Sequence, residues 1–169
     1  FRFRNYSLKT RLSLLFLILV GSISLFILIY VPSFLEQQAY GAIVNKVQTL
    51  TKLTALSISP ELLFHDNEEM ENDLSGLKLN PNVKYIIVIE DSYKVFASYN
   101  PHVVIDVDYK NSSYELFSYM DELIYKTDAP IYHDRKLIGH IYLGYSLSQL
   151  QEQVWESRKT ITVVCLILF

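Results

Sequence analysis

The sequence predicts an α+β fold in which a five-stranded antiparallel sheet follows a long N-terminal helix, with a transmembrane helix on each side. A charge-free apolar run lies near each end of the chain. Between the two runs the patterns follow the order helix, strand hairpin, crossover with a short helix, three strands, helix. That order is typical of an antiparallel sheet with helices at its edges and on one face.

The first apolar run, residues 12–31, predicts an uncleaved transmembrane helix. Its 20 residues contain no charge, and a helix of that length covers roughly 30 Å, the thickness of a hydrocarbon core. The run ends in Tyr30-Val31-Pro32 instead of the small-residue site of a cleaved signal peptide. Because four basic residues precede it, we expect residues 1–11 to be a cytoplasmic tail and residues 33–157 to lie outside a bacterial inner membrane.

The second apolar run, residues 160–169, is only ten residues long. It could form a final core strand, but it follows a polar helical segment at 147–159 and would return the chain to the cytoplasmic side. We therefore predict an exit helix at 147–159 and the start of a second transmembrane helix at 160–169, cut by the end of this sequence. The cytoplasmic continuation is expected to carry the output domain.

Residues 32–58 predict a long membrane-proximal helix, joined to the first span at a junction or kink at Pro32. Two apolar stripes with helical spacing run along it. One could pack on the domain's own core and the other on a second copy, which predicts a homodimer. A helix that only covers its own sheet remains an equally open alternative. The predicted dimer interface is Tyr40, Ile43, Val47 and Leu50, and the neighbouring stripe begins with Leu35, Ala39 and Ala42.

The remaining elements of the domain at 59–146 are predicted from caps, turn residues and alternation. Two short helices come first, at 59–64 and from Asp66 to Leu77, and a break at 80–82 follows. We then predict strands at 83–90 and 94–99, a loop at 100–113, a short helix at 114–120, and strands at 123–127, 129–133 and 136–145.

Composition excludes several classes of function. The chain has 169 residues, with 15 basic and 18 acidic side chains and a net charge of −3. All 18 acids and nine of the basic residues lie within 33–157, so this part repels nucleic acid. Cys165, the only cysteine, lies in the second apolar run. The exported part therefore has no disulfide, cysteine metal site or thiol redox chemistry.

No catalytic residue, metal site or cofactor is predicted. The acidic run 66–73 could gather divalent cations, but its pattern favours the solvated first turn of a helix. No nucleophile has a base at motif spacing, and the five glycines form no phosphate-binding loop. Four histidines also lack the i,i+4 spacing of a helical zinc site; they are His65, His102, His133 and His140.

Two segments carry a resemblance to a known family: LSISPELLFHDNEEMENDLSGLKLNPNVKYIIVIEDSYKVFASY and DAPIYHDRKLIGHIYLGYSLSQL. Over roughly residues 50–150 the chain resembles the periplasmic CHASE-type sensor domains, which have a PAS-like (Cache-like) fold between two transmembrane helices. Tyr93 and Arg135 stand where that family has turn glycines. The matching positions are Leu74, Leu77, Pro81, Val83, Phe96, Ala97, Tyr99, Pro130, Ile131, Gly139, Ile141 and Leu143.

The resemblance implies the signal-sensing region of a membrane receptor, most often a histidine kinase or a diguanylate cyclase. Such a region would bind a small molecule and pass the signal through a dimer to a cytoplasmic output domain. The alternative is a docking module for a periplasmic regulatory protein, with no small-molecule ligand.

Thirteen tyrosines are the unusual feature of the composition. In PAS-like folds one sheet face and the crossover enclose the ligand pocket, where hydroxyl groups could hold a polar ligand. Tyrosine is also simply a good strand residue, and the two interpretations are nearly equal. The residues predicted to line the pocket are Tyr85, Tyr99, Tyr119, Tyr125 and His133.

Overall fold

In the part of the chain that the structure describes, runs of β-branched and aromatic residues form five antiparallel strands in a single sheet. A computed structural model describes residues 8–104 and 116–168 of the chain. The strand order is β2-β1-β5-β4-β3, which confirms the predicted α+β fold. The strands are β1 (Val83–Glu90), β2 (Val95–Tyr99), β3 (Leu116–Tyr119), β4 (Glu122–His133) and β5 (Lys136–Ser146).

Helix α1 runs from Leu8 to Ser57 and remains helical through Pro32. Proline has no N–H to donate to the preceding turn. One residue later, the Ser33 hydroxyl donates a hydrogen bond to the Ile29 carbonyl at 3.2 Å. Among the described residues, α1 is the one helix whose length and composition suit a membrane span, with a most apolar window of mean hydropathy 2.9. The second span remains a prediction.

Two short helices follow α1, as predicted. Helix α2 (Ser59–Phe64) has proline in its first turn, and helix α3 (Asn67–Lys78) begins after Asp66, whose carboxylate accepts a hydrogen bond from the Glu69 N–H at 3.1 Å. The acidic run is therefore the start of a helix. The buried face of α3 consists of Met70, Leu74 and Leu77.

The chain divides into two compact units. The sheet unit is Gly41–Leu150, and the terminal unit is Phe1–Tyr40 with Gln151–Phe169. Helix α4 (Ser148–Leu168) begins in the first and ends in the second. In the terminal unit the Arg158 guanidinium donates a hydrogen bond to the Glu36 carboxylate at 2.7 Å.

Two element predictions were wrong. Residues 114–120 were expected to be helical, but 116–119 form β3, while Tyr114 lies outside the described residues together with most of the predicted loop at 100–113. Residues 101–104 of that loop form a 3-10 helix. The strands expected at 123–127 and 129–133 are one strand, β4. Among the described residues β3 pairs only with 122–125, so the second half of β4 has a neighbouring strand on one side there, and Pro130 is tolerated.

The two hairpins beside β4 turn without glycine. Met120 and Asp121 have φ of 47° and 64°, and Asp134 and Arg135 have φ of 47° and 66°. Two consecutive left-handed residues in a two-residue loop are typical of a type I′ turn, for which Asn-Gly or Asp-Gly is preferred. The absence of the family's turn glycine at Arg135 therefore leaves the hairpin intact.

Replacing Arg135 with glycine is expected to stabilise the protein. The left-handed conformation costs a residue with a Cβ about 1–2 kcal/mol, and glycine avoids this cost. Glycine loses more backbone entropy on folding, which offsets roughly 0.5–1 kcal/mol of the gain. We expect a net gain of about 0.5 kcal/mol in the free energy of unfolding, measured by urea denaturation. Arg135→Ala shortens the side chain but keeps the Cβ, so the strain of the left-handed conformation remains. An equal gain in stability in that variant would contradict the explanation by backbone strain.

Candidate functional site

The phenol ring of Tyr85 lies across a glycine of the neighbouring strand. Tyr85 of β1 pairs with Gly144 of β5, which pairs with Lys126 of β4. A Cβ placed on Gly144 would lie 2.0 Å from Cε1 and 2.8 Å from Cζ of the Tyr85 ring. The ring thus occupies the space that a side chain at 144 would fill.

The Tyr85 hydroxyl is buried without a hydrogen bond. The residue is 0% exposed, and within the described part of the chain its Oη has no partner. Burial, with the negative charge of Asp128 as a smaller cause, raises the pKa of Tyr85 well above its ordinary value. The phenol therefore stays protonated and can donate. A buried polar group without a partner costs about 1–3 kcal/mol, so it calls for a functional explanation.

Further polar groups lie on this side of the sheet, which we call the Tyr85 face: the side that bears Tyr85, Ile87, Lys126, Asp128 and Tyr142. Lys126 is only 6% exposed, and Asp128 is exposed. The Nδ1 atom of His140, on the same face, is buried and has no hydrogen-bond partner among the described residues. The apolar part of this face consists of Ile87, Ile89, Val103, Val104 and Ile124, with Phe117, Tyr119 and Tyr142 packed against them.

The opposite side of the sheet, the helix face, is covered by helices of the sheet unit. The Tyr125 hydroxyl accepts a hydrogen bond from Gln48 Nε2 of α1 at 2.9 Å. At Gly139 an added Cβ would lie 2.7 Å from Leu62 of α2. Ile86, Val88, Ile141 and Leu143 are buried between the sheet and these helices.

The five residues predicted to line a pocket lie on both faces. Tyr85 and Tyr119 lie on the Tyr85 face. Tyr99 pairs with Ile86 and so belongs to the helix face, as does Tyr125. His133 lies at the end of β4, where its Nδ1 is 3.4 Å from Ser59 Oγ of α2. Ligand binding by this set remains a prediction. The prediction omitted Lys126, His140 and Gly144.

A comparison with known protein families found a matching model. The family model CHASE8, described as a periplasmic sensor domain, matches residues 40–144, more than half of the chain. The chain belongs to the CHASE8 family. No curated protein matches it. As a CHASE8 domain it has an extracytoplasmic sensing role and is not itself catalytic, and residues 40–144 are a periplasmic segment of a membrane protein.

The residues predicted to form the dimer interface of this CHASE8 chain are buried or half-buried within a single chain. Val47 is 0% exposed in the core of the sheet unit, whereas Ile43 and Leu50 are half-buried, as is Tyr40 in the terminal unit. The outer side of the same helix exposes Leu53 at 59% and Leu56 at 67%. The dimer interface stays a prediction.

A polar network joins the sheet of the CHASE8 domain to α4. Glu122 Oε2, at the start of β4, accepts hydrogen bonds from Lys84 Nζ at 2.7 Å and from Ser146 Oγ at 2.8 Å. Ser146 Oγ also accepts from the Ser148 N–H at 3.2 Å, in the first turn of α4. The Ser146 N–H donates to the Asn82 carbonyl at 2.7 Å, before β1. We call Asn82, Lys84, Glu122, Ser146 and Ser148 the exit junction.

Because Glu122 is held as a carboxylate at the exit junction, we expect the protein to lose stability in acid. Hydrogen bonds from Lys84 and then Ser146 hold the pKa of Glu122 below its ordinary value. A lowered folded-state pKa adds stability above the unfolded value of about 4.3, and this is lost as pH falls through the folded pKa. Because the pair is partly exposed, its contribution is only about 0.5 kcal/mol.

Urea denaturation of the protein and of Glu122→Gln at several pH values measures this contribution. The difference between them should be present at pH 6 and shrink below pH about 4. A difference that does not change with pH would assign the effect to the amide itself, not to the charge.

A shallow cleft lies at another edge of the CHASE8 domain, between α2 and the ends of β1 and β5. Its volume is about 240 Å³. Leu62, Leu137 and Ile138 contribute apolar surface, while Glu90 and Lys136 contribute opposite charges. The neighbouring Phe64 and Tyr93 are 75% and 76% exposed. Exposed aromatic side chains beside a cleft are typical of protein interaction sites.

Proposed function

We propose that this CHASE8 chain is the sensing region of a dimeric receptor of the bacterial inner membrane, with its ligand site on the Tyr85 face. The observation that carries the proposal is the buried, unpartnered hydroxyl of Tyr85. Phenylalanine would fill the same volume without leaving a polar atom unsatisfied. A ligand that accepts this hydrogen bond supplies the missing interaction energy.

In this proposal the signal passes from the sheet to the helices through the contacts that join them. The helix face is linked to α1 through Gln48 and Tyr125, and the exit junction links β1, β4 and β5 to α4. In this proposal the helices have two arrangements, and the ligand binds one of them more tightly. Binding therefore shifts the population towards that arrangement by an amount that the ratio of the two affinities sets. A cytoplasmic histidine kinase or diguanylate cyclase domain would then read the arrangement.

The membrane topology in this proposal rests on charge and hydropathy. Residues 12–31 form the first span, residues 1–11 lie in the cytoplasm, and residues 33–157 lie in the periplasm. The described part of α1 supports the first span because its most apolar window is entirely unburied in the protein. Residues 160–169 begin the second span.

Tyr85→Phe tests the function. We expect the variant to gain about 1 kcal/mol in the free energy of unfolding, because it removes a buried, unsatisfied hydroxyl, and to lose its response to ligand. The measurement is the melting temperature of the full chain in nanodiscs, with and without the low-molecular-weight fraction of a periplasmic extract. Tyr132→Phe is the matched control, since Tyr132 is 50% exposed at the end of β4. An equal rise of the melting temperature in the protein and in Tyr85→Phe would contradict the proposed site.

A docking module is the second candidate function, and the exposed Phe64 and Tyr93 beside the cleft favour it. The same experiment separates the two functions. If the protein fraction of the extract raises the melting temperature, the small-molecule fraction does not, and Phe64→Ser abolishes the effect, the chain is a docking module.

A further inference from the structure

A half-buried carboxylate lies at the cleft between α2 and the ends of β1 and β5. Glu90, the last residue of β1, lines this cleft together with His65, which follows α2. Only 19% of the Glu90 side chain is exposed, against 68% of the His65 side chain. The carboxylate has thus lost most of its contact with water, and a charged hydrogen-bond donor in the cleft would compensate for that loss.

Glu90 uses only part of its hydrogen-bonding capacity. Its Oε2 accepts a hydrogen bond from the Ser92 hydroxyl at 3.0 Å. Its Oε1 lies 3.5 Å from His65 Nδ1, which is longer than the roughly 2.7–3.2 Å of an ordinary N–H···O hydrogen bond. Because an ionised carboxylate has about four acceptor sites, Oε1 can accept a hydrogen bond from a ligand without breaking the bond to Ser92.

The charges around the cleft favour a cation as the ligand. Glu90 and Asp91 contribute two carboxylates to its lining, whereas Lys136 alone among the lining residues carries a permanent positive charge. Lys136 is exposed, so its long side chain can extend into water. Residues 33–157 as a whole carry 18 acids and nine basic side chains, an excess of negative charge that attracts cations.

An organic cation suits the cleft better than a metal ion. In the described part of the chain, no group of three or more histidine, cysteine or acidic side chains is placed to hold a metal. The cleft volume of about 240 Å³ equals that of roughly eight water molecules. Beside the carboxylate, Leu62, Leu137 and Ile138 supply apolar surface that a short hydrocarbon chain can cover.

We propose that the cleft binds a small aliphatic amine in its ammonium form. The ammonium group donates to Glu90 Oε1, and the hydrocarbon chain lies along the apolar lining. This site is separate from the ligand site proposed on the Tyr85 face. Glu90 pairs with Gly139, and a Cβ added to Gly139 would contact Leu62 of α2, so Glu90 belongs to the helix face.

Direct binding tests the inference. The full chain in nanodiscs of neutral lipid is titrated with butylamine and with 1,4-diaminobutane at pH 8 and constant ionic strength, and saturation-transfer NMR gives the Kd. Butan-1-ol, a neutral molecule of similar shape to butylamine, is the matched control ligand, and empty nanodiscs correct for uptake into lipid. We expect at least one amine to bind, and butan-1-ol to bind about tenfold more weakly or worse, because it carries no charge.

Two variants assign the binding to the cleft. Glu90→Gln keeps the shape of the side chain and removes its charge, so it should weaken the Kd of the amine about tenfold or more. Glu152→Gln makes the same change of charge at an exposed residue of α4 in the terminal unit, and should leave the Kd unchanged. Lys136→Met removes the competing cation and should tighten binding about two- to threefold. If Glu90→Gln fails to fold, Lys136→Met still tests the sign of the charge effect.

Several results would overturn the inference: no binding of either amine, equal binding of butan-1-ol, or an unchanged Kd in Glu90→Gln. Weaker binding in Lys136→Met would also overturn it, since Lys136 would then attract the ligand. The sensing function can fail separately, because it is tested by the response of Tyr85→Phe to the periplasmic extract. An extract that stabilises Glu90→Gln as much as the protein, while the amine binds only the protein, would show that the two sites are distinct.

Discussion

Replacing Gly144 with alanine is expected to lower the free energy of unfolding by about 3 kcal/mol, because the added methyl group would overlap the Tyr85 ring. The overlap cannot be relieved cheaply. The new Cβ would lie within 3 Å of three ring atoms, and the ring is buried between the sheet and the apolar cluster of the Tyr85 face. The same variant should lose ligand binding in the proposed site, since the added methyl group would displace the Tyr85 ring and its hydroxyl.

Gly76→Ala is the matched control for this prediction. Gly76 lies inside α3, and nothing lies within 4 Å of a Cβ added there. Alanine should raise the stability by roughly 0.5–1 kcal/mol, as it does in helix interiors. Urea denaturation measures both variants. Equal effects of the two substitutions would mean that the ring does not lie over Gly144.

A second large effect is expected when aspartate replaces Val47. Val47 is fully buried in the sheet unit, so the variant places an unpaired charge in the core at a cost of several kcal/mol. We expect it to unfold the domain, and circular dichroism should show the loss of sheet signal. Leu53→Asp, on the exposed side of the same helix, should leave the fold intact.

The pair of variants also tests the dimer. If a second copy packs on the outer side of α1, Leu53→Asp separates the protomers without unfolding them, which sedimentation in detergent would show. A folded Val47→Asp variant that is monomeric would instead place Val47 in the interface, as the apolar spacing first predicted.

Helices and strands with strong local signals were predictable from the sequence. Asp66 and the acids after it marked the start of α3, and the run 83–90 coincides with β1. Strand β3 was not predictable, because it has only four residues and turns into β4 through Met120 and Asp121, without a glycine or proline to mark the turn.

The candidate site was harder to predict, because its geometry depends on which face each residue occupies. Strand β1 is buried on both faces, so its apolar run has no alternation that separates Tyr85 from Ile86. The role of Gly144 depends on the register with β1, which is a long-range property of the fold. Lys126 looks like an ordinary strand lysine until its burial is known.

The exit junction also fixes the rotation of helix α4 about its own axis at its first turn. Ser146 is fastened to Asn82 and Glu122, so the first turn of α4 starts from a fixed direction. Each residue added to an α-helix turns everything beyond it by about 100°. An insertion of one residue after Gln149 would therefore present a different side of the helix to its neighbours, whereas seven residues, about two full turns, would nearly restore it. Any output domain fused to this sensor inherits that constraint on the length of its connecting helix.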